Sequence, residues 1–397
     1  MNPAIAKLQH ITQKHERLII GLMSGTSLDG LDIALCQISG AGHASKIKLL
    51  HFITMPFESD FRNRIRTIFA KRTIDQQVFS GLHAQIGQVH AQLVLKALDE
   101  WGIAPENIDC IASHGQTVYH APISLTHDET YPNSTLQIGD GDHIAVKTGI
   151  ITLSDFRQKH IAAGGEGAPL AAYGDYLLFG HPTETRILLN IGGISNFTYI
   201  PSKDLNQQTY ATDLGPGNTL MNQYMHMHYG KEMDENAETA SLGKINQLLL
   251  NQLMEEPFLN LDFPKTTGPE LFNIKYFEEI LAKTELSSLS PEDIMATLNA
   301  FTAQSITQAI QRAIQSIKNF KIYVSGGGLH NPLLMKQLKE AFPHALLSFE
   351  HLGINPDAKE ACLFAILSNE TLVGSPANVT QIHNAPAVCM GKISLPY

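Results

Sequence analysis

The chain has 397 residues, of which 17% are charged and 43% hydrophobic, and its formal net charge is −10. This length allows two domains with substantial cores, and the composition is typical of a globular enzyme. Net negative charge with scattered Lys and Arg argues against a nucleic-acid-binding surface, so we expect no nucleic-acid partner. No run of residues is long and apolar enough to span a bilayer, so we expect no membrane partner.

The four cysteines and the N-terminus bear on the cellular compartment. Cys36, Cys110, Cys362 and Cys389 show no C-x-x-C spacing and lie in apolar segments, so we expect reduced core residues. Residues 1–17 are predicted to be a polar leader before the first strand, without the apolar region of a signal peptide. We therefore expect a cytoplasmic protein.

The first predicted elements lie in Ile19–Leu35, IIGLMSGTSLDGLDIAL. Two apolar runs flank a tip of small residues, which predicts strand, turn, strand. Backbone N–H groups and hydroxyls at such a tip suit a nucleotide polyphosphate, and Asp29 suits a hydrated Mg²⁺. The segment has no P-loop pattern, and an ordinary glycine hairpin fits it equally well. The candidate phosphate-binding residues are Ser24, Gly25, Thr26, Ser27, Asp29 and Gly30.

The following elements predict an α/β unit. Strands are predicted at Ile47–Thr54, Ile108–Ser113 and Ser134–Ile138, and Gln76–Trp101 has helical periodicity. A Gly-Asp-Gly turn and a short helix come next, and Gly149–Phe156 is predicted to be a further strand.

Two polar segments in this half suit sugar recognition. Residues 112–120, ASHGQTVYH, place His114, Gln116 and Thr117 beyond a strand end, where short donors and acceptors can contact hydroxyls. A lone histidine there would fit a structural role, but the cluster favours a site.

The second polar segment, residues 154–179, is turn-rich and contains Arg157, His160 and Glu166. Arg157 can bind a carboxylate or phosphate bidentately, and His160 suits a general base because imidazole has an ordinary pKa of about 6.5. The alternative is a solvated loop with a buried Arg–Asp pair.

A second α/β unit is predicted from Arg186. ILLNIGGISNFTYI again indicates strand, glycine turn, strand, which suggests a duplicated architecture that holds phosphate between two lobes. Gly192, Gly193 and Asn196 form the proposed second phosphate loop, and a tight β-turn is the alternative.

Two further glycine segments belong to this unit. In ATDLGPGNTLM, Asp213 is either a second metal-side carboxylate or a turn residue, and the segment then opens a helix with Gly215, Gly217 and Asn218. VSGGGLHNPLL suits either an adenosine site or a βα turn that needs room, and its candidate residues are Gly326, Gly327, Gly328 and Asn331. Flanking helices are predicted at Asp293–Ile317 and Glu360–Leu372.

The chain from about Leu18 to Gly391 resembles the anhydro-N-acetylmuramic acid kinase family, within the actin/hexokinase/Hsp70-like ATPase superfamily. The motifs that carry the resemblance occur in the family's order: MSGTSLDG, ASHGQT, DFR…AAGG-GAPL, NIGGISN, D-GPGN, PKTTGPE, GGG-HN and KEA. The resemblance implies an α/β, two-lobed actin-like ATPase fold of duplicated ribonuclease H-like units with an interdomain ATP cleft. The lobes would be residues 1–155 with about 373–397, and residues 156–372. It also implies a homodimer.

The resemblance further implies ATP, Mg²⁺ and a small sugar as ligands. The family opens a 1,6-anhydro sugar hydrolytically and phosphorylates O6, and 1,6-anhydro-N-acetylmuramic acid in peptidoglycan recycling is the expected substrate. By position, Asp29 matches a carboxylate near the phosphates, with Asp29 and Asp213 as candidate Mg²⁺ ligands. Thr117 and Glu360 match sugar-side residues.

Two positions depart from the family pattern D-F-R-x-x-D-x-A-x-G-G-Q-G-A-P-L. Its second Asp, the water-activating base, is replaced by His160, and its Gln is replaced by Glu166. In one hypothesis His160 accepts the proton of water and Glu166 orients it, and in another Glu166 is the base. A third is loss of ring opening, which would leave a kinase of another sugar, an altered paralogue or a nucleotide sensor. Retention of Asp29, the glycine loops and Glu360 favours an enzyme.

Overall fold

The computed structural model describes residues 1–284, 289–315 and 317–397. They form two compact units, one of Met1–Gly180 with Gly353–Tyr397 and one of His181–Leu352. The predicted boundaries lay after residues 155 and 372. The two segments between the predicted and observed boundaries belong to the first unit because their helices pack on each other, with Leu363 filling the space above Gly174.

The strands, in chain order, are Glu16–Ser24 (β1), Gly30–Ser39 (β2), Lys46–Pro56 (β3), Cys110–Ala121 (β4), Ser134–Ile138 (β5), Thr152–Ser154 (β6), Thr185–Ile191 (β7), Ile194–Ile200 (β8), Tyr210–Pro216 (β9), Phe320–Ser325 (β10), Leu346–Ser348 (β11) and Lys392–Ser394 (β12). The α-helices are Pro3–Gln13 (α1), Ser59–Arg66 (α2), Gln76–Glu100 (α3), Ile123–Thr126 (α4), Gly141–Thr148 (α5), Phe156–Ala162 (α6), Ala171–Phe179 (α7), Thr219–Tyr229 (α8), Glu238–Leu242 (α9), Gln247–Met254 (α10), Pro257–Asn260 (α11), Ile274–Lys283 (α12), Pro291–Ile314 (α13), Pro332–Ala341 (α14) and Lys359–Val373 (α15).

The sheet of the first unit has the order β12-β6-β4-β1-β2-β3, with β5 paired to β4. Strands β1, β2 and β3 form an antiparallel meander, and β4 pairs with β1 in parallel, with Ile20 between Leu35 and Ile111. The parallel pairing requires a crossover, which the long helix α3 provides.

The sheet of the second unit has the order β11-β10-β7-β8-β9. Strands β7, β8 and β9 form an antiparallel meander, and β10 pairs in parallel with β7 and β11. This is the same strand order and direction as β6-β4-β1-β2-β3. The prediction of a duplicated, ribonuclease H-like α/β architecture is confirmed.

Each sheet buries its apolar face under a long helix. In the first unit Ile33 belongs to the core that Ile86 and Val94 of α3 fill. In the second unit Leu189 shares a core with Ile306 of α13. Burial of each such side chain stabilises the fold by roughly 1.5–3 kcal/mol, so these cores hold the strand ends in place.

Helix α15 lies directly against β1 because Gly21 has no side chain. A Cβ at Gly21 would lie 1.9 Å from the carbonyl oxygen of Ala361. This close approach fixes the first turn of α15, which carries Glu360, beside the first hairpin.

Several predicted elements have different bounds. The polar leader is mostly helix α1, whose Ala4 and Ile11 are buried. The strand predicted at 149–156 shortens to β6, because the chain turns through Asp155 (φ 57°) into α6. Strand β4 runs to Ala121 because its second half pairs with β5. Helix α13 ends at Ile314, and residue 316 of the predicted helix lies outside the described residues.

The four cysteines are free thiols, as predicted. Cys36, Cys110 and Cys362 are buried, and Cys389 is partly exposed. The Sγ atoms of Cys36 on β2 and Cys362 on α15 lie 3.6 Å apart.

Candidate functional site

The tip of the first hairpin is held from behind by Gln116. The Ser24 hydroxyl donates to Oε1 of Gln116 at 2.5 Å, and Nε2 of Gln116 donates to the carbonyl of Gly25 at 3.1 Å. Leu28 is buried with a positive φ of 62°, which anchors the turn. The exposed residues of the tip are Thr26, Ser27 and Asp29. The tip therefore presents two hydroxyls and a carboxylate from a fixed backbone.

Gly30 has a packing role. A Cβ at Gly30 would lie 2.4 Å from the carbonyl oxygen of Met55, so β2 and β3 could not pair there. Gly25, in contrast, would meet only the Ser27 hydroxyl, at 3.8 Å. Of these two glycines, only Gly25 faces open space where a ligand can approach.

Arg157 of α6 and His114 form a partly buried pair, and His114 lies within β4 and not beyond a strand end as the sequence predicted. Nε of Arg157 donates to Nε2 of His114 at 3.0 Å, so this nitrogen of the histidine carries no proton. Burial, and then the charge of Arg157, lower the pKa of His114 to about 3. The sequence segments of residues 112–120 and 154–179 thus meet here, and Arg157 contacts His114 where a buried Arg–Asp pair was the alternative.

Thr117 lies on β4, and Glu360 lies on the first turn of α15. The Thr117 hydroxyl accepts a hydrogen bond from Nε2 of Gln137 at 3.1 Å. The side chain of Glu360 is exposed. The surrounding protein still desolvates its carboxylate and raises its pKa, whereas the charges of Lys359 and Arg157 lower it. The electrostatic influence of Glu360 on Arg157 indicates that the two belong to one cluster.

His160 lies inside the fold of its own loop. Its exposed fraction is 3%, and its Nδ1 accepts the N–H of Gly167 at 2.9 Å. The ring packs edge-on against Tyr173, with centroids 5.6 Å apart, and fills the space where a Cβ of Gly165 would stand. Burial, and then Arg157, lower its pKa to about 4, while Glu166 acts in the opposite direction. Glu166 itself is half-buried.

The tip of the second hairpin, Gly192-Gly193, is joined to the start of helix α8. The Gly193 carbonyl accepts from the amides of Gly217 (2.8 Å) and Thr219 (3.1 Å), and the Gly192 carbonyl accepts from Asn218 (2.8 Å). A Cβ at Gly217 would lie 2.3 Å from the Gly192 oxygen. The amides of the two residues before α8 and of its first residue therefore bind the tip.

Gly326 and Gly328 fit against the end of strand β7. A Cβ at Gly326 would lie 2.6 Å from Oδ1 of Asn190, and one at Gly328 would lie 2.3 Å from Cγ2 of Ile191. Asn218 also donates to the Ile191 carbonyl at 3.4 Å. The three glycine segments predicted to bind nucleotide thus come together in the second unit.

A pocket of about 410 Å³ opens beside these glycines. Three candidates for the nucleotide site line it, Gly327, Asn218 and Asn331, and Asn331 also caps helix α14 by accepting the N–H of Leu334 at 2.9 Å. Sequence analysis missed the rest of the lining: Met221, Asn222, Met233, Asp234, Glu235, Asn236 and His330. Residues 233–236 carry no glycine motif, so only the fold places them there.

Asp213 lies within strand β9. Its Oδ2 accepts the amide of Thr267 at 2.9 Å, which ties the PKTTGPE segment to the strand. Burial raises its pKa, and the Thr267 amide opposes that shift. Gly215 follows on the same strand and accepts the Ser195 hydroxyl at 3.1 Å, and Asn196 pairs across the hairpin with Asn190.

The described residues contain neither a ready-made metal-binding cluster nor a membrane-spanning helix. No group of three or more His, Cys, Asp and Glu side chains is placed to hold a metal ion on its own. Among the same residues, no helix has the length and apolar character needed to cross a membrane.

The chain matches the family model of anhydro-N-acetylmuramic acid kinase over residues 17–395. It is 49% identical over 400 residues to a protein of Pseudoalteromonas atlantica named anhydro-N-acetylmuramic acid kinase, with 100% of both chains covered. A protein of the same name from Caldanaerobacter subterraneus is 39% identical, covering 98% of this chain and 100% of its own. These matches span both units and all motifs quoted above, and we conclude that the chain is an ATP-using kinase that belongs to the anhydro-N-acetylmuramic acid kinase family.

Proposed function

We propose that this protein opens 1,6-anhydro-N-acetylmuramic acid with water and phosphorylates O6 at the expense of ATP. The observation that carries the proposal is the full-length match to relatives of that name, at 49% and 39% identity. The contacts within each unit support it, because the family motifs gather into one polar cluster per unit.

The second unit supplies the nucleotide site in this proposal. The pocket beside Gly327 is large enough for an adenosine group, since ligand pockets typically begin at about 300 Å³. Met221 and Met233 offer apolar surface to a purine ring, and Asn218 and Asn222 offer hydrogen bonds. The glycine tip lets phosphate oxygens approach the backbone.

The first unit supplies the sugar site. Thr117 is a short polar group suited to hydroxyls, and Arg157 suits the lactyl carboxylate or the developing charge at O6. Gln116 is fully buried and its side chain binds Ser24 and Gly25, so it supports the first tip rather than the sugar. Glu360 is the sugar-side carboxylate that the family resemblance indicates. Phosphoryl transfer to the sugar requires that bulk water be excluded from the site.

Mg²⁺ fits the carboxylates present. The ion keeps several waters and binds through one or two carboxylates plus substrate phosphates, so it needs no cluster of three protein ligands. Asp29 is exposed at the first tip, and Asp213 has one oxygen engaged by Thr267 and a second that remains for an ion or its water. When bound, Mg²⁺ would neutralise charge on the phosphate oxygens.

The reaction needs two kinds of group from the chain. A base removes one proton from the water that attacks C1, and the C1–O6 bond breaks with its electron pair going to O6. O6 then bonds to the γ-phosphorus as the bond to the β-phosphate oxygen breaks. Backbone N–H groups at fixed positions stabilise the charge that develops on the phosphoryl oxygens.

The proposal also covers the cellular compartment, the pathway and the oligomeric state of the enzyme. A kinase of this substrate that uses ATP would act in the cytoplasm, in peptidoglycan recycling. A homodimer is expected from the family resemblance, and sedimentation at micromolar concentration tests it.

The test of function is ADP release with a panel of sugars. We expect ATP- and Mg²⁺-dependent turnover of 1,6-anhydro-N-acetylmuramic acid, and mass analysis should show a product heavier by one water and one phosphoryl group. Turnover of an ordinary hexose with no reaction of the anhydro sugar would refute the proposed function. So would nucleotide binding without turnover of any sugar in the panel.

A further inference from the structure

We propose that the catalytic base of ring opening in this chain is Glu166, and that His160 is a positioning residue that holds the Glu166 loop in place. The inference rests on the proposed function, because it assigns a step of that reaction. Its starting point is the pair of departures from the family pattern at positions 160 and 166.

The hydrogen bond at His160 occupies the nitrogen that a base would need. Nδ1 accepts the Gly167 amide proton at 2.9 Å, so the neutral ring carries its own proton on Nε2. The lone pair of Nδ1 is therefore engaged by Gly167, and Nε2 is protonated, so neither nitrogen is free to accept a proton from water. Burial at 3% exposure and the nearby Arg157 both act against a charged imidazolium, which agrees with this assignment.

Both the backbone amide and the backbone carbonyl of Gly167 are hydrogen-bonded to side chains. His160 accepts from its N–H, and Nη1 of Arg157 donates to its carbonyl at 2.8 Å. Gly167 has a positive φ of 80°, and a Cβ there would lie 2.5 Å from Cγ2 of Thr135. Only glycine satisfies both the backbone angle and the space, and the two hydrogen bonds hold it in this conformation.

Glu166, which directly precedes Gly167, also lies in a hydrogen-bonded part of the loop. Nδ2 of Asn133 donates to the Gly165 carbonyl at 3.3 Å, and the Gly165 amide donates to the His160 carbonyl at 3.0 Å. Glu166 therefore has a fixed backbone on either side, as a reacting group requires. Its charge acts on the imidazoles of both His160 and His120, which agrees with a carboxylate near these two side chains.

A carboxylate at position 166 performs both tasks of the family's aspartate. It removes one proton from water, and its negative charge favours the positive charge that develops at C1 when the C1–O6 bond breaks. A neutral imidazole could do only the first. The hydroxyl remains on C1, the electron pair of the broken bond goes to O6, and the proton leaves Glu166 for solvent after phosphoryl transfer.

The experiment compares single substitutions in the full-length protein. E166Q should lower kcat for 1,6-anhydro-N-acetylmuramic acid by about 10²–10⁴-fold, the usual contribution of a general base, with little change in KM. E166D should recover part of that loss. H160N keeps an oxygen acceptor for the Gly167 amide but cannot act as a base, so it should stay within about tenfold of wild type, whereas H160L, which has no acceptor, should lose more.

Two controls separate the outcomes. E106Q, at an exposed position outside the site, makes the same charge change and should leave activity unaltered. Calorimetric ATP affinity equal to wild type shows that E166Q is folded. Wild-type kcat in E166Q, or a loss in H160N as large as that in E166Q, overturns the inference while the proposed function stands. No turnover by the wild type contradicts the proposed function itself.

Discussion

The two units share one strand order, yet they stabilise the tips of their first hairpins differently. In the first unit the side chain of Gln116 holds the backbone, and the outer hydroxyls and the Asp29 carboxylate stay exposed. In the second unit the carbonyls of Gly192 and Gly193 bind amides at the start of a helix. Because a side chain holds the first tip, the hydroxyls and the carboxylate of that tip remain exposed. Because backbone hydrogen bonds hold the second tip, its two glycines add no side-chain groups there. The first arrangement suits reacting groups, and the second suits binding of phosphate and nucleoside.

The largest expected effect tests whether the carboxylates of the two units differ in role. D29N removes an exposed charge at the first tip. In the proposed function this carboxylate binds the hydrated Mg²⁺ at the phosphates, where it acts mainly in the transition state, so we expect kcat to fall by about 10²-fold or more. D213N keeps an acceptor for the Thr267 amide and should cost less than about tenfold. Steady-state ADP release at saturating sugar measures both. Equal losses in the two variants would contradict the distinction.

The next effect concerns the glycines of the two tips. G217A would place a methyl group 2.3 Å from the Gly192 carbonyl oxygen, so the tip and helix α8 must separate. We expect a loss of about 1–3 kcal/mol in the free energy of unfolding, as for other overpacked sites.

G25A is the matched control, because its methyl group would meet only the Ser27 hydroxyl, at 3.8 Å. Its unfolding free energy should stay within about 0.5 kcal/mol of wild type. Urea titration of both proteins checks the pair, and a stable G217A would show that the second tip is not held by this contact.

The smallest effect is the acid sensitivity of the first unit. His90 is fully buried on α3, and burial lowers its pKa to about 4. Between that value and the ordinary value of about 6.5, the unfolded chain binds the extra proton, so stability is complete above pH 6.5 and falls as the pH drops. At pH 5 this one residue should cost about 2 kcal/mol. His114 and His160, in the same unit, act in the same direction.

H90L tests this expectation. Leucine does not titrate, so the variant should lose less stability than wild type between pH 7 and pH 5 in urea unfolding. Hydrogen exchange at the two pH values should show which unit opens. Parallel pH profiles for wild type and H90L would count against the assignment of His90.

Most of the fold followed from sequence periodicity. Helix α3 and strand β5 match their predicted ranges within one residue, since both have a clear apolar pattern. Helix α1 was missed because the segment is mostly polar, and its two buried residues, Ala4 and Ile11, are too few to give a clear helical pattern. The end of β4 was missed because β5, a partner from a later segment, stabilises it.

The site was predictable as a set of residue types, and much less so as a set of contacts. The glycines and carboxylates stood out because phosphate chemistry needs them. The Arg157–His114 bond joins residues 43 positions apart, and no local pattern encodes it. The His160–Gly167 bond is local, but its direction depends on the fold of the loop. The useful signal was the departure from the family pattern, which identified positions 160 and 166 without assigning their roles.

The missing side chain of Gly21 has a consequence for how this protein can change. The oxygen of Ala361 occupies the volume that any other amino acid would need at position 21, so even a single added methyl group must push the neighbouring helix outward. Glu360 precedes Ala361 and would travel with it. The location of the carboxylate that we propose for the sugar side thus depends on a buried strand position. Selection for substrate recognition should therefore keep position 21 as glycine.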